Sequence, residues 1–425
     1  MPDKKSSSAA NTKAIILVGG DLRGTRFRPL SLNTPKVLFP IAGKPLLSHI
    51  IEPISKIQSI KDVLIIGFYE NSVFKNFLCE CREQFPNLNI KYLREYKALG
   101  TAGGLFHFRD EIKRNNPEKI FVIHGDIICS FPFKEILEFF TKQQDYYDDS
   151  EAKAVVFGID VPKYLASHPH TFGAIVADKN NKVIHYVEKP ESKLSNIING
   201  GIYLFNSKYI INKIAEVKHS KDELVDDVTN VDPIDSDVVS LENDILAKLP
   251  DDGGFYVFKS GSYWRQIKRA ASALPANDLV LANTKTDNSS QKCEIIEPVF
   301  IHPTAKIAAS AKIGPNVSIG PYCVIDEGVR VKNSILLENV EINEDSLVLY
   351  SIISSDTKIG KWVRIEGTEI KANDPVTYFE VHEIKFSKAT ILSSNTFIND
   401  NVYVKNCVVL PNKEIKVDTK LEIIM

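Results

Sequence analysis

From about residue 299 onward the chain repeats itself every six residues. Ile301, Ile307, Ile313, Ile319, Ile325, Val331 and Leu337 stand six apart, and Ala308, Gly314, Gly320 and Asp326 follow several of them. After a slip the step resumes at Ile353, Ile359 and Ile365, and again at Ile398, Val404 and Leu410. A six-residue period is the mark of a parallel β-helix, in which three hexapeptides form one triangular coil. On that spacing Ile301, Ile319 and Leu337 fall in one interior column, each burial being worth ~1.5–3 kcal/mol. A chance alternation in an ordinary sheet does not predict so long an unbroken run. Such a solenoid leaves coil edges open, which favours association with another chain.

The chain before residue 262 has another grammar. Short apolar runs at 14–18, 62–67, 90–93, 120–123 and 154–158 alternate with helically spaced segments at 48–57, 72–85, 103–113 and 133–143. That alternation predicts an α/β domain around a largely parallel sheet. The expected organisation is a solvated tail over 1–12, the α/β domain over 13–275, a polar linker over 276–298 and the β-helix over 299–425. Two segments break the pattern. Residues 222–240 are acidic and are expected to form a mobile surface insertion. Residues 369–388 interrupt the six-residue rhythm and read as a loop leaving the solenoid.

At 425 residues two or three domains are expected. The net charge of −2 provides no global basic field, which argues against a nucleic-acid partner. The cysteines are scattered without zinc-site spacing, as suits a reducing compartment. The N-terminal stretch lacks an apolar core, and no run approaches the ~20 apolar residues of a membrane span. A soluble, cytoplasmic protein is the expectation.

Chemistry concentrates in a few places. In ILVGGDLRGTRFRPLSLNTPKVLF, Gly19, Gly20 and Gly24 let backbone N–H groups approach an anion. Arg26, Arg28 and Lys36 add positive charge that would stabilise an attacked phosphorus. A bare Gly-Gly would read as a solvated loop, but G-T-R-x-R-P-L followed by P-K favours phosphate binding. Downstream of Glu95, GTAGGL opens a helix in a form suited to a flat base or sugar, with a plain helix start equally open. Asp126 ends an apolar strand, where open α/β sheets bind ligands. It could hold Mg²⁺ together with substrate phosphates, or simply close a turn. Glu188 and Lys189 of VEKP, and Asn199 of NGGIYLF, are candidate partners for sugar hydroxyls, against a bland reading as turn residues. His302 and His382 invite acyl transfer, but no Ser–His or Cys–His constellation accompanies them.

These elements, in this order, resemble the sugar nucleotidyltransferases that carry a C-terminal left-handed β-helix. The likeness is strongest to the GDP-mannose pyrophosphorylases, or mannose-1-phosphate guanylyltransferases, and runs over residues 13–425. GTRFRPL with PK, EYKALGTAGGL, YVEKP, INGGIYLF and IHPTAKIAASAKIGPNVSIG carry it, while GFYE and YWRQIKRAASAL point to the alpha-type branch. The resemblance implies a Rossmann-like nucleotidyltransferase domain followed by a left-handed parallel β-helix. It also implies a reaction of GTP with mannose 1-phosphate, assisted by Mg²⁺, that gives GDP-mannose and pyrophosphate. Gly19, Gly20, Gly24, Arg26 and Lys36 would surround the phosphates, and Glu95, Gly100 and Thr101 the guanosine. Asp126 would bind the metal, and Gly173, Glu188, Lys189 and Asn199 the mannose.

Two departures bear on activity. Three residues, Asp21, Leu22 and Arg23, stand between Gly-Gly and Gly-Thr-Arg where the family has one. Gln266 stands where the family has an aspartate that is the second Mg²⁺ ligand, though its amide can still hydrogen-bond a bound product. Arg26 and Lys36 would then be vestigial as catalytic groups. The implied role is a regulatory subunit that binds GDP-mannose and restrains a catalytic beta-type subunit, in homo- and hetero-oligomers formed through the β-helix. The 369–388 loop would contact that partner. An active guanylyltransferase is the alternative.

Overall fold

The computed structural model describes residues 11–19, 25–32, 34–146, 152–160, 171–227, 237–371 and 376–425. Gly20, the Asp21-Leu22-Arg23 insertion, Gly24 and most of the N-terminal tail lie outside the described residues. The chain divides into two compact units, one of Met1–Asp21 with Ser48–Trp264, the other of Leu22–Leu47 with Arg265–Met425. Residues 22–47 thus group with the second unit.

The first unit is built on a nine-stranded sheet. Strands β1 (Thr12–Gly19), β2 (Ile60–Gly67), β3 (Asn89–Arg94) and β4 (Lys119–His124) run parallel, in the spatial order β4-β1-β2-β3. The other five are β5 (Ala154–Asp160), β6 (Ala174–Ala177), β7 (Val183–Val187), β8 (Ile197–Asn206) and β9 (Phe255–Ser260). Strand β8 is antiparallel to β4, β5 and β6, so the sheet is mixed rather than largely parallel. A further antiparallel pair is β6 with β7. A tight turn joins them, with Asp178 Oδ1 accepting from the N–H groups of Asn180 and Lys182 at 2.8 Å each. A short turn permits only an antiparallel return.

The helices of the first unit include α1 (Leu46–Ser55), α2 (Asn71–Gln84), α3 (Gly100–His107), α4 (Arg109–Lys113), α5 (Phe133–Tyr146) and α6 (Ser207–Asp227). The single helix expected over 103–113 is broken at Phe108. The buried Lys13 ammonium closes the end of α4, donating to the carbonyls of Glu111 (2.9 Å) and Arg114 (2.8 Å). Ile15, Val122, Val156, Tyr203, Phe205 and Val257, all fully buried, form the middle of the core.

The expected mobile insertion at 222–240 needs correcting. Residues 222–227 continue α6, and 237–240 are packed in place, with Val239 wholly buried. Residues 228–236 lie outside the described residues. The acidic composition misled because Asp237 is neutralised by Lys97 and Lys218.

The second unit contains α7 (Ala273–Ala282) and a parallel β-helix of three sheets with seven, seven and six short strands. Ile325 pairs with Ile342, Ile342 with Ile359, Ile359 with Ile398, and Ile398 with Ile415. The column starting at Ile301 and Ile319 continues to Leu336, not Leu337 as the six-residue count implied. The slip therefore falls between Val331 and Leu336. Leu336 is buried, and Leu337 turns partly outward. Asn316, Asn333, Asn339, Asn395 and Asn412 sit at coil corners with positive φ, a conformation asparagine tolerates better than most. Residues 369–388 do leave the solenoid. Ser351–Ile353 pairs directly with Thr390–Leu392, and between them lies a hairpin of Tyr378–Val381 and Ile384–Ser387. Arg269 stacks on the Tyr378 ring at 4.7 Å.

A cavity of about 410 Å³ in this unit is lined by Asp278 of α7, Asn316, Asn333 and Tyr350. Burial pushes the Asp278 carboxyl from 3.8 up to about 7, against the pull of Arg265. A carboxyl that binds its proton more tightly when folded loses stability as pH rises between those two values. Asp278→Asn should therefore match the parent at pH 4 and exceed it by ~1–3 kcal/mol at pH 8 in urea unfolding. Equal stability at both values would show that the carboxyl is not strained.

Candidate functional site

The carboxyl ends of β1 and β4 lie side by side, and loops from both meet there. The Gly125 N–H donates to Leu17 O at 2.8 Å, which draws the His124-Gly125-Asp126 loop against β1. Gly19 closes β1 at φ +65, and the Phe68 N–H donates to its carbonyl at 2.9 Å. Gly19 and Asp126 thus sit at the strand ends where open α/β sheets receive ligands.

One side of this region is a chain of hydroxyl, amide and carboxylate groups. Glu188 follows β7. Its Oε2 accepts from the Tyr186 hydroxyl at 2.8 Å, and its Oε1 pairs with Lys189 Nζ at 2.8 Å. Asn199 of β8 donates through Nδ2 to the hydroxyls of Tyr186 (3.0 Å) and Tyr203 (2.7 Å), and its Oδ1 accepts from the Gly201 N–H at 2.9 Å. Burial drives both phenols far above their ordinary pKa, so they remain neutral donors. Gly173 belongs here for a steric reason. A Cβ on it would stand 2.3 Å from the Tyr186 hydroxyl and 2.8 Å from Glu188 Oε2. Both donor hydrogens of Asn199 are spent within the protein, so among these groups Glu188 retains the most acceptor capacity.

The other side is closed by residues the sequence did not single out. Glu242 lies in a short π-helical stretch, Leu241–Leu246, and is mostly buried. Its Oε2 accepts from Thr101 Oγ1 (2.8 Å) and Ser240 Oγ (3.0 Å). Its Oε1 lies 3.3 Å from His124 Nε2, a charge contact without hydrogen-bond alignment. Burial opposes both charges but is outweighed. Glu242 is held at about 2 by His124 and Thr101, and Glu242, with Asp126 and Glu188, raises His124. The only sequence signal for Glu242 was Ser240, which caps this stretch by accepting from the Asn243 N–H.

The predicted guanosine-side residues are placed as follows. Gly100 has φ +79, and a Cβ there would meet Val239 O at 2.5 Å, so the segment 237–241 presses directly on it. The Thr101 hydroxyl donates to Glu242 and accepts from the Leu241 N–H at 2.7 Å. The Ala102 and Gly103 N–H groups, free donors in most helix starts, both donate to Val239 O. The Glu95 carboxylate lies over Gly104. Arg26, Lys36 and Gln266 belong to the second unit. Arg26 is exposed on a 3₁₀ turn, Thr25–Phe27, anchored by the buried Phe27 ring packed edge-on to Phe39 at 5.3 Å. Lys36 opens another such turn, Lys36–Leu38, and Gln266 ends the strand Trp264–Gln266. No group of three or more His, Cys, Asp or Glu converges as a metal cage among the described residues. None of the described helices is long and apolar enough to cross a membrane.

Comparison with known proteins agrees with this layout. The nucleotidyl transferase family model matches residues 13–241, and the model described as the GMPPB C-terminal domain matches 295–424. A Schizosaccharomyces pombe protein named "Probable mannose-1-phosphate guanyltransferase" is 43% identical over 97% of this chain and 100% of its own length. Proteins named mannose-1-phosphate guanylyltransferase regulatory subunit alpha in Dictyostelium discoideum and alpha-A in Danio rerio are each 39% identical. They cover 98% and 97% of this chain and 100% of their own lengths. With its strand-end loops, β-helix and end-to-end likeness, the chain belongs to the nucleotidyltransferase family, among the mannose-1-phosphate guanylyltransferases and their regulatory alpha subunits.

Proposed function

We propose that this chain is a regulatory alpha-type subunit that binds GDP-mannose and restrains a catalytic beta-type guanylyltransferase. The observation that carries the reading is an acceptor-rich group, Glu188 with Tyr186 and Asn199, kept whole in a chain that carries a neutral glutamine at position 266. A carboxylate with spare lone pairs suits sugar hydroxyls, whereas an amide is a poor replacement for a magnesium-binding carboxylate. Two relatives named as regulatory subunits support the same reading. Asp126 would supply one carboxylate to Mg²⁺ when a ligand brings its phosphates, and such a hard cation would neutralise phosphate charge there. Coupling of ~1–3 kcal/mol between the two subunits would give useful feedback.

The second reading, an active guanylyltransferase, is favoured by the name of the Schizosaccharomyces pombe relative. The two separate when the chain is mixed with a catalytic beta-type subunit and GDP-mannose is added. Under the first reading turnover falls about 5- to 150-fold, and only when this chain is present. Inhibition that is the same without the chain would remove the regulatory role.

A further inference from the structure

We propose that Glu242 is a positioning residue that locks the glycine-rich start of α3 to the His124–Asp126 loop, so that the two ends of a bound nucleotide-sugar are read together. This deepens the reading above and rests on it for the ligand.

Three features of the fold converge on the assignment. The first is the carboxylate itself, which is mostly buried and uses both oxygens. Oε2 takes Thr101 from α3, and Oε1 faces His124 from the end of β4. Glu242 lies 141 positions beyond Thr101, and its one side chain bridges the two elements. The second is the clamp around it. Val239 O accepts from Ala102 N–H (2.9 Å) and Gly103 N–H (3.2 Å), while Val239 N–H donates to Leu99 O (2.9 Å). The Thr101 hydroxyl accepts from the Leu241 N–H while donating to Glu242. The helix start is therefore held in place by the 239–242 segment. The third is continuity. The His124 ring lies edge-on to the Tyr203 ring at 5.6 Å, and Tyr203 is bonded through Asn199 to Tyr186 and so to Glu188. Glu242 thus sits at the far end of a run of hydrogen-bond, ring and charge contacts that begins at Glu188. On this proposal a displacement at one end is felt at the other through these packed groups.

Glu242→Gln tests this, because it keeps the shape and removes the charge. Hydrogen exchange is read on the ligand-free chain, and calorimetry uses GDP-mannose, GDP and mannose 1-phosphate as separate probes. The expected exchange result is at least 10-fold faster exchange at Ala102, Gly103 and Gly125 together, with β2 and α5 unchanged. The expected binding result is a loss of 30-fold or more for GDP-mannose, with GDP and mannose 1-phosphate each within threefold of the parent. Glu242→Asp should recover part of both effects. Unchanged exchange at both segments overturns the proposal whatever the chain binds. Equal losses for all three probes overturn it too, since a general loosening would do that. If the parent itself binds no GDP-mannose, the functional reading fails, and exchange alone decides whether Glu242 couples the two segments.

Discussion

Glu188→Ala should weaken GDP-mannose binding about 100-fold while leaving GDP within about threefold of the parent. The carboxylate is held by Tyr186 on one oxygen and Lys189 on the other. An ionised carboxylate offers about four acceptor sites, so roughly two stay free for ligand hydroxyls. Two charge-assisted bonds at ~1.5 kcal/mol each come to ~3 kcal/mol, or about two decades of affinity. The Ala variant also leaves the Tyr186 hydroxyl without its acceptor, and this adds to the loss. Asn199→Ala is the useful contrast. Its amide hydrogens go to tyrosines rather than outward, so it acts only by loosening two rings, and a loss of ~10-fold is expected. Calorimetry with GDP-mannose and GDP separates these outcomes. An equal loss of both ligands in Glu188→Ala would place the carboxylate away from the sugar.

Ile359→Asp should destabilise the β-helix by more than ~4 kcal/mol, whereas Ile359→Val should cost only ~1 kcal/mol. Ile359 is fully buried and is paired with Ile342 on one side and Ile398 on the other. A carboxylate there has no counter-charge in an interior lined with aliphatic side chains, and an unpaired buried charge is among the most costly single changes. Coils of a solenoid stabilise their neighbours, so the damage should spread beyond one turn. Urea unfolding followed by circular dichroism reads it. A variant as stable as the parent would mean that this isoleucine column is not the interior.

The β-helix was legible because its period is set by geometry alone. Each coil must present the same face inward, and the isoleucines show it. The one-residue error at Leu337 arose because a five-residue side breaks the count, while Leu336 and Leu337 look alike to a hydropathy pattern. The parallel strands β1 to β4 were legible from their apolar runs, but the antiparallel strand β8 was not. Strand direction depends on connection length, and the Asp178 turn, which sets β7 antiparallel to β6, likewise carries only a faint signal. Chemically distinctive side chains, Asp126, Glu188 and Asn199, could be singled out from the sequence as candidates, and the structure joins Glu188 and Asn199 through Tyr186. Contacts between distant segments were not legible. Thr101 and Glu242 meet across 141 positions of sequence, and neither is unusual in its own neighbourhood. The acidic stretch around Asp237 suggested a solvated loop because its lysine partners, Lys97 and Lys218, come from other elements.

Under the proposed function the pocket holds a nucleotide-sugar without exchanging phosphoryl bonds. One purified sample of the isolated chain tests this most directly, titrated calorimetrically with GDP-mannose and then assayed with GTP, mannose 1-phosphate and Mg²⁺. The prediction is saturable GDP-mannose binding together with product formation at least ~100-fold slower than a catalytic beta-type subunit assayed alongside it. Turnover matching that subunit, or no binding heat at all, would contradict it.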